Sequence, residues 1–503
     1  MNFKERLAAF LLMLSLAALL ARPLPAQHAN PPQPPAASPS QPAPGAAAPA
    51  APSQSPPVAN TDFLAAADEV LHQMSQILSL PIKQALKKSL RSKAEIRDYL
   101  VREEKEDRTD AERLSTVKTL EAFGLIPKGF PLDSFLLDVL TDQVAGLYDP
   151  KAQEFYIADW IPADEQKEVM AHELTHALED QSFHIDPWIK AARPNDDAEL
   201  ARDSVSEGSA LAAMEDYALA DEKTSIREMP DITLLVRSGA LEEMNKDPNL
   251  SKAPPFIRDE LLFPYLAGIG FIQQFLKQHE GWQDLHLLFE NPPVSTAQIL
   301  HPNLYFKDVQ PEKVAFPVWK GIAPADWKLL DENVMGEFGL SEVLKQFLGP
   351  QRADAISPMW AGDRYAIFVD AAGGNSHLVF LVTLDTPEDS ARFFGQYSEV
   401  LEDLHKTRSQ LHRRPNYFEF QTPEGGVFLR SVGRQCLIVD GAGRDTYDKI
   451  VRAVGWPSLV SPPPPKSNDS ASQAFTGLDL LLAARDAGLP TIPTPPAATS
   501  PAP

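Results

Sequence analysis

The chain has 503 residues and a formal net charge of −23, from 69 acidic and 46 basic residues. Such an excess of negative charge argues against nucleic acid and anionic membrane surfaces as partners. The single cysteine, Cys436, excludes an intrachain disulfide, and the apolar run around it predicts a buried, inert thiol.

Residues 1–26 are predicted to be a secretory signal. Lys4 and Arg6 form its charged start, residues 7–21 its apolar run, and residues 24–26 a cleavage site. The apolar run is short for a membrane span, so we expect cleavage and no stable membrane insertion afterwards; an uncleaved anchor is the alternative. The mature protein is therefore predicted to be exported, either periplasmic or secreted.

Two tails of biased composition flank the central part of the chain. Residues 27–60 are rich in Pro and Ala and contain no Asp, Glu, Lys or Arg, and residues 457–503 are rich in Pro and Ser. Such compositions cannot form a packed core. We expect a disordered linker and a disordered tail.

The central part begins with helices. Apolar residues recur at helical spacing in residues 63–80, a strongly charged helix is predicted over 93–123, and another helix over 133–143. Two short strands joined by a turn at Asp149-Pro150 should follow, the second of them at residues 154–158.

The next helix carries His172-Glu173-Leu174-Thr175-His176, an H-E-x-x-H motif. Residues four apart lie one turn apart on one helix face, so both imidazoles can reach a single ion. Glu173 lies about 100° further round, close enough to contact a water molecule on that ion. Zinc suits two neutral imidazoles, and a third protein ligand would leave the fourth position to water. We therefore expect one Zn²⁺ per chain.

The third ligand should come from a later helix. Glu207 is the preferred candidate, with Asp203, Glu199 and Glu215 as alternatives. Asp203, one turn before Glu207, is otherwise predicted to hydrogen-bond a ligating histidine. The small residues of Gly208–Ala210 should let this helix approach the first one closely.

These motifs resemble those of the gluzincin metallopeptidases, the HExxH superfamily of thermolysin. The likeness is narrower to bacterial exported relatives with an A-H-E-L-T-H-A-L helix and an E-G-x-A third-ligand helix. It covers residues 140–215 most clearly and extends to 260–305. Two departures are a longer spacing to Glu207 and the lack of an N-E-x-x-S-D arrangement around it.

The resemblance implies zinc held by His172, His176 and Glu207, with Glu173 acting on the water bound to the ion. In zincin-type enzymes an edge strand before the motif helix pairs with extended substrate through backbone hydrogen bonds. Residues 155–158 are the candidate for that strand, and an ordinary hairpin is the alternative.

A further catalytic residue is predicted at His301, which precedes Pro302 at a helix end. It could hydrogen-bond the oxyanion that forms when water attacks a peptide carbonyl. Tyr265 and Tyr148 are alternatives for that role, and His301 could instead only cap its helix.

The predicted fold class is α+β. Residues 61–350 should form a mostly helical, zincin-like catalytic domain with a small edge-strand sheet, ending in a helix over 326–348. Residues 351–456 should form a small α+β sheet domain, whose strands are predicted at 360–369, 377–384, 417–421, 426–432 and 435–439 and whose helices are predicted at 388–405 and 446–454. His405, His412 and the arginines 413–414 look like a solvated helix end.

The sequence therefore predicts an exported zinc metallopeptidase acting on protein or peptide substrates, its oligomeric state left open. One alternative is a zinc amidohydrolase that cleaves a different amide. The other is a non-catalytic envelope binding or assembly protein with a structural zinc, which would have no need of Glu173.

Overall fold

The computed structural model describes residues 60–160, 166–246, 250–371 and 373–457. The predicted signal, linker and tail lie outside these residues, apart from Asn60 and Pro457. The fold is α+β. In the described ranges the α-helices are α1 (Asn60–Ile77), α2 (Lys93–Asp107), α3 (Asp110–Ala122), α4 (Leu132–Gln143), α5 (Gln166–Phe183), α6 (Ile185–Lys190), α7 (Asp196–Ala218), α8 (Thr233–Lys246), α9 (Pro255–Gln278), α10 (His286–Glu290), α11 (Thr296–Leu300), α12 (Pro302–Phe306), α13 (Gly336–Leu348), α14 (Pro350–Asp354), α15 (Pro387–Leu404) and α16 (Arg444–Ala453).

The strands form two sheets. The strands are β1 (Lys87–Arg91), β2 (Gly146–Asp149), β3 (Glu154–Ala158), β4 (Lys328–Asn333), β5 (Trp360–Val369), β6 (Ser376–Leu384), β7 (Ser409–Arg414), β8 (Tyr417–Thr422), β9 (Gly425–Val432) and β10 (Gln435–Ala442). The small sheet has the order β1-β3-β2, and the large sheet has the order β4-β5-β6-β10-β9-β8-β7. Neighbouring strands of the large sheet are antiparallel.

The charged region after β1 folds as two helices, whereas a single helix was predicted over 93–123. Thr109 interrupts it, because its side chain accepts the amide of Glu112 while the Glu112 carboxylate accepts the amide of Thr109. This reciprocal pair is a capping box, which starts a new helix. Ser92 and Glu95 start α2 in the same way.

The small sheet corrects the prediction of a substrate-binding edge at residues 155–158. Strand β3 is the central strand, paired in parallel with β1 and antiparallel with β2. Strand β1 has the sequence Lys-Lys-Ser-Leu-Arg, whose polarity hid it from a search for apolar strands. Both backbone edges of β3 therefore pair with neighbouring strands, and neither is open to an added substrate strand.

The large sheet extends beyond the predicted strands at both ends. Residues 328–333, predicted as helix, form β4, and only Gly336–Leu348 is helical. Residues 409–414, interpreted as a solvated helix end, form the exposed strand β7. The predicted strands at 360–369, 377–384, 417–421, 426–432 and 435–439 are confirmed, as are the helices near 388–405 and 446–454.

The helices and the large sheet share one hydrophobic core. Helix α3 packs on β4, β5 and β6, and Phe123 at its end lies edge-on to Tyr365 and Phe380, with ring centroids 5.6 and 5.4 Å away. The described residues up to Trp456 belong to one compact unit. Strand β4 joins the sheet from before the domain boundary expected at residue 351. Among the described helices, none combines the length and the apolar character that a membrane span requires.

Candidate metal centre

The H-E-x-x-H motif lies in the middle of α5, a helix enclosed by α1, α7 and the small sheet. Every residue from Val169 to Gln181 is buried. His172 and His176 are 1% and 0% exposed, and Glu207 of the neighbouring helix α7 is 0% exposed. The fold thus places three polar side chains where an apolar core would otherwise lie.

The three side chains converge on one point. His172 Nε2 lies 3.2 Å from His176 Nε2 and 3.2 Å from Glu207 Oε2, and His176 Nε2 lies 3.4 Å from the same oxygen. A tetrahedral zinc site with bonds of about 2.0–2.1 Å separates its ligand atoms by about 3.3–3.4 Å. Among the described residues, this is the one group of three or more His, Cys, Asp or Glu whose ligand atoms converge closely enough for a metal ion.

The chemistry of the group also fits a divalent cation. The Oε1 atom of Glu207 is buried and accepts no hydrogen bond from the described residues. Burial alone would raise the pKa of Glu207, but the charge of His176 and hydrogen bonds from both histidines lower it to about 2. Burial alone would lower the pKa of His176, but the charge of Glu207 and its hydrogen bond raise it to about 9. These opposite shifts mean that the site favours a positive charge beside the Glu207 carboxylate, which a divalent cation would supply.

Glu173 lies next to this group and is fixed from the other side. Its Oε2 atom accepts a hydrogen bond of 2.8 Å from the backbone amide of Tyr148 in β2. Gly146 makes this contact possible, because a Cβ there would lie 2.7 Å from Val169 Cγ1 and 3.5 Å from Glu173 Cγ. A glycine at this point lets the strand lie directly on the motif helix.

The outer contacts of the histidines differ from the prediction. Ser206 Oγ lies 3.3 Å from His176 Nδ1, and the ring of Tyr265 stacks on His172 at 6.2 Å between centroids. His172 Nδ1 has no hydrogen-bond partner among the described residues. The predicted bond from Asp203 to a ligating histidine is therefore wrong, since Asp203 lines an adjoining cavity instead.

The other candidates for the third ligand also lie elsewhere. Glu199 forms a salt bridge with Arg193 at 2.8 Å. Glu215 is buried two turns beyond Glu207 on α7, and burial raises its pKa to about 8. The structure brings only Glu207 to the two histidines.

A glycine contact sets the distance between α7 and α9. A Cβ on Gly208 would lie 2.6 Å from the carbonyl oxygen of Gly268, and a Cβ on Gly268 would clash with the carbonyl oxygen of Ser204. Helix α7 does pack on the motif helix as predicted, where Ser209 donates to Glu179 at 2.6 Å. Gly208 itself, however, makes its close contact with α9. The same contact brings Tyr265 of α9 over His172.

The structure does not bring His301 into this group. His301 Nε2 bonds Glu337 Oε1 at 2.8 Å and lines a cleft on the far side of α9. That cleft contains none of the three converging side chains. Tyr148 Oη donates to Asp180 at 2.9 Å, which occupies its hydroxyl.

Sequence reasoning missed the two contacts that hold the motif residues in place. The Tyr148 amide is a backbone group, so its identity gives no signal. Ser206, directly before Glu207, could have been noticed as a small hydroxyl residue on the third-ligand helix.

A family model described as "Domain of unknown function (DUF8575)" matches residues 328–451. The match runs from β4 into α16 and therefore covers the large sheet. It spans less than half of the chain and does not include His172, His176 or Glu207. No curated protein and no solved structure matches the chain.

Proposed function

We propose that the chain is an exported zinc-dependent metallopeptidase of the gluzincin type. The observation that carries the proposal is the buried group of His172, His176 and Glu207. The distances between their nearest Nε2 and Oε2 atoms, 3.2–3.4 Å, fit a tetrahedrally coordinated ion. Export rests on the sequence of residues 1–26 alone.

The residues have separate roles. A bound zinc ion supplies a Lewis acid that polarises a carbonyl and lowers the pKa of water. His172, His176 and Glu207 would hold this ion. Glu173 takes a proton from the attacking water onto its carboxylate and transfers it to the departing amine nitrogen as the C–N bond breaks. The Tyr148 amide keeps Glu173 from rotating away.

One observation favours a second candidate, a structural zinc. The four motif and ligand residues are at most 3% exposed, which is typical of closed sites. Against it, the described residues supply three ligands rather than the four of most structural zinc sites. Glu173 also has no use in a closed site.

The test is cleavage of fluorescein-labelled casein by the full chain and by Glu173→Gln, with zinc measured in both. General-base catalysis contributes about 100- to 10,000-fold, so Glu173→Gln should lose activity by that factor and keep its zinc. The exposed Glu222→Gln is the matched control and should behave as the wild type. A wild type that binds zinc and cleaves nothing favours the structural candidate, whereas cleavage of other amides only favours an amidohydrolase.

A further inference from the structure

A cavity of about 170 Å³ lies between α3, α7, α9 and the start of the large sheet. Its volume suits a single side chain rather than a drug-sized ligand. Apolar walls are supplied by residues such as Leu120, Phe256 and Phe338. The carboxylates on its lining are those of Asp196, Asp197, Glu199, Asp203, Glu260 and Asp331, and the cation on it is Arg108. Two of these carboxylates already have partners, since Glu199 binds Arg193 at 2.8 Å and Asp331 accepts from Tyr365 at 3.0 Å.

One buried polar atom of this lining, Asp197 Oδ2, lacks a hydrogen-bond partner among the described residues. The hydroxyl of Thr119 lies on the same lining, beside that of Tyr365. Asp197 is 3% and Thr119 9% exposed. The other oxygen of Asp197 accepts from the amide and hydroxyl of Thr296, at 3.0 and 2.5 Å. Burial raises the pKa of Asp197 to about 7. An unsatisfied buried carboxylate oxygen is costly, so Asp197 Oδ2 on the cavity wall indicates a place for a hydrogen-bond donor with positive charge.

The lining excludes a compact metal site. Among the described residues, His172, His176 and Glu207 alone bring ligand atoms as close together as a metal requires. The carboxylates of the cavity are spread along its walls. They suit an elongated organic cation, whose aliphatic part would lie on the apolar walls.

Helix α7 connects the lining of this cavity to Glu207. Asp196, Leu200 and Asp203 share one stripe of the helix with Glu207, because residues three and four apart lie on the same face. Along the axis of α7, Asp203 lies one turn, about 6 Å, from Glu207, and Asp197 lies about 15 Å from Glu207. On α9, Pro264 lines the cavity directly before Tyr265, which stacks on His172.

We propose that this cavity binds a basic side chain, arginine or lysine, of the polypeptide substrate, within about four residues of the cleaved bond, since an extended backbone advances about 3.3 Å per residue. This specificity rests on the proposed peptidase function. The negative charge of the whole chain acts in the same direction, because it attracts basic polypeptides.

The first experiment measures binding without turnover. The probes are Nα-acetyl-arginine methylamide and its citrulline analogue, which has nearly the same shape and no charge. They are titrated into the full chain carrying Glu173→Gln. Charge-assisted hydrogen bonds in a buried site predict at least tenfold tighter binding of the arginine probe. Equal binding of the two probes would overturn the proposal.

Variants locate the site. Asp197→Asn, in the same background, should abolish the preference for arginine, whereas Asp221→Asn removes an exposed carboxylate and should leave it unchanged. Since Asp197 also holds Thr296, Thr119→Val provides a second test, because it removes a hydroxyl of the lining and leaves every carboxylate in place. Thr119→Val should weaken binding of the arginine probe about threefold to tenfold. A preference that survives both Asp197→Asn and Thr119→Val would also overturn the proposal.

Peptide-cleavage assays distinguish a failure of the basic-residue pocket from a failure of the proposed peptidase function. Matched peptides with a single arginine or citrulline should differ at least tenfold in kcat/KM with the wild type and much less with Asp197→Asn. Peptides cleaved without that difference would overturn the basic-residue pocket and leave the peptidase. Selective binding of the arginine probe with no peptide cleaved would overturn the peptidase function and its substrate pocket together.

Discussion

The helical layer and the large sheet both bury carboxylates, and they treat them differently. In the sheet region, Asp363 is 3% exposed and accepts hydrogen bonds from the Met335 and Gly336 amides and the Trp360 indole, at 2.8–2.9 Å. In the helical layer, Glu207 has one buried oxygen without a described donor, and His172 Nδ1 is likewise unpaired. A satisfied carboxylate joins parts of the fold, whereas a buried carboxylate beside two imidazoles is the arrangement that the proposed metal site would use.

Among the predicted changes in stability, the largest is expected from a substitution in the helical layer, at Gly208. In Gly208→Ala the new methyl group would overlap the backbone of Gly268, so α7 and α9 must separate. We expect a loss of about 3 kcal/mol of stability, at the upper end for overpacking, and weaker zinc binding, because Glu207 moves with α7. Denaturant unfolding and zinc titration measure the two effects.

The matched control for Gly208→Ala is Gly395→Ala, in the helix that packs on the large sheet. A Cβ at Gly395 meets nothing within 4 Å, so the change should be neutral or slightly stabilising. Equal effects of the two substitutions would contradict the close contact between α7 and α9.

A smaller effect is expected from the pH dependence of the helical layer. Burial, then the charges of Glu168 and Asp216, raise the pKa of Glu215 to about 8 from 4.5. The folded protein keeps this proton over a range in which the unfolded chain releases it. Stability is therefore lost as pH rises from 4.5 to 8, by roughly 1 kcal/mol per pH unit for this group.

Unfolding of the metal-free protein at pH 5.5 and 7.5 measures this loss. Glu215→Gln should make the loss smaller, whereas the exposed Glu222→Gln should not change it. An unchanged loss in Glu215→Gln would show that Glu215 ionises normally in the folded protein.

His301 should have little effect on cleavage. It bonds Glu337 at 2.8 Å and lines a cleft that does not contain His172, His176 or Glu207. It therefore cannot donate a hydrogen bond to an oxyanion beside those three residues. We expect His301→Ala to change kcat/KM for casein less than about threefold. A loss of a hundredfold or more would restore the catalytic role predicted from the sequence.

The smallest effect concerns Cys436 in the large sheet. Its side chain is buried, and burial raises the pKa of the thiol to about 12. The thiol is therefore protonated at neutral pH and should not react with a thiol reagent until the protein unfolds. Rapid modification of the native protein would show that the sheet core opens.

The sequence predicted those parts of the fold that have a local signal. The apolar alternation of β5 and β6 and the spacing of the motif histidines were sufficient to predict these elements. The break at Thr109 also had a local signal, the capping pair with Glu112, but it was overlooked. Strand β1 had none, because Lys87 to Arg91 form a strand only through pairing with β3.

The candidate site was predictable in its residues but not in its surroundings. Glu207 follows from its distance in sequence and its helical context, and the structure places it beside His172. The packing of Gly208 on Gly268 and the stacking of Tyr265 depend on how α9 crosses α7. That crossing joins residues some 60 positions apart, which no local pattern records.

The most direct test of the central claim is the zinc stoichiometry of the full chain, measured by elemental analysis after purification and dialysis. The account predicts one zinc per wild-type chain, retained in the exposed control Glu222→Ala and lost or greatly weakened in Glu207→Ala. A wild type without zinc, or an unchanged zinc content in Glu207→Ala, would contradict the metal centre.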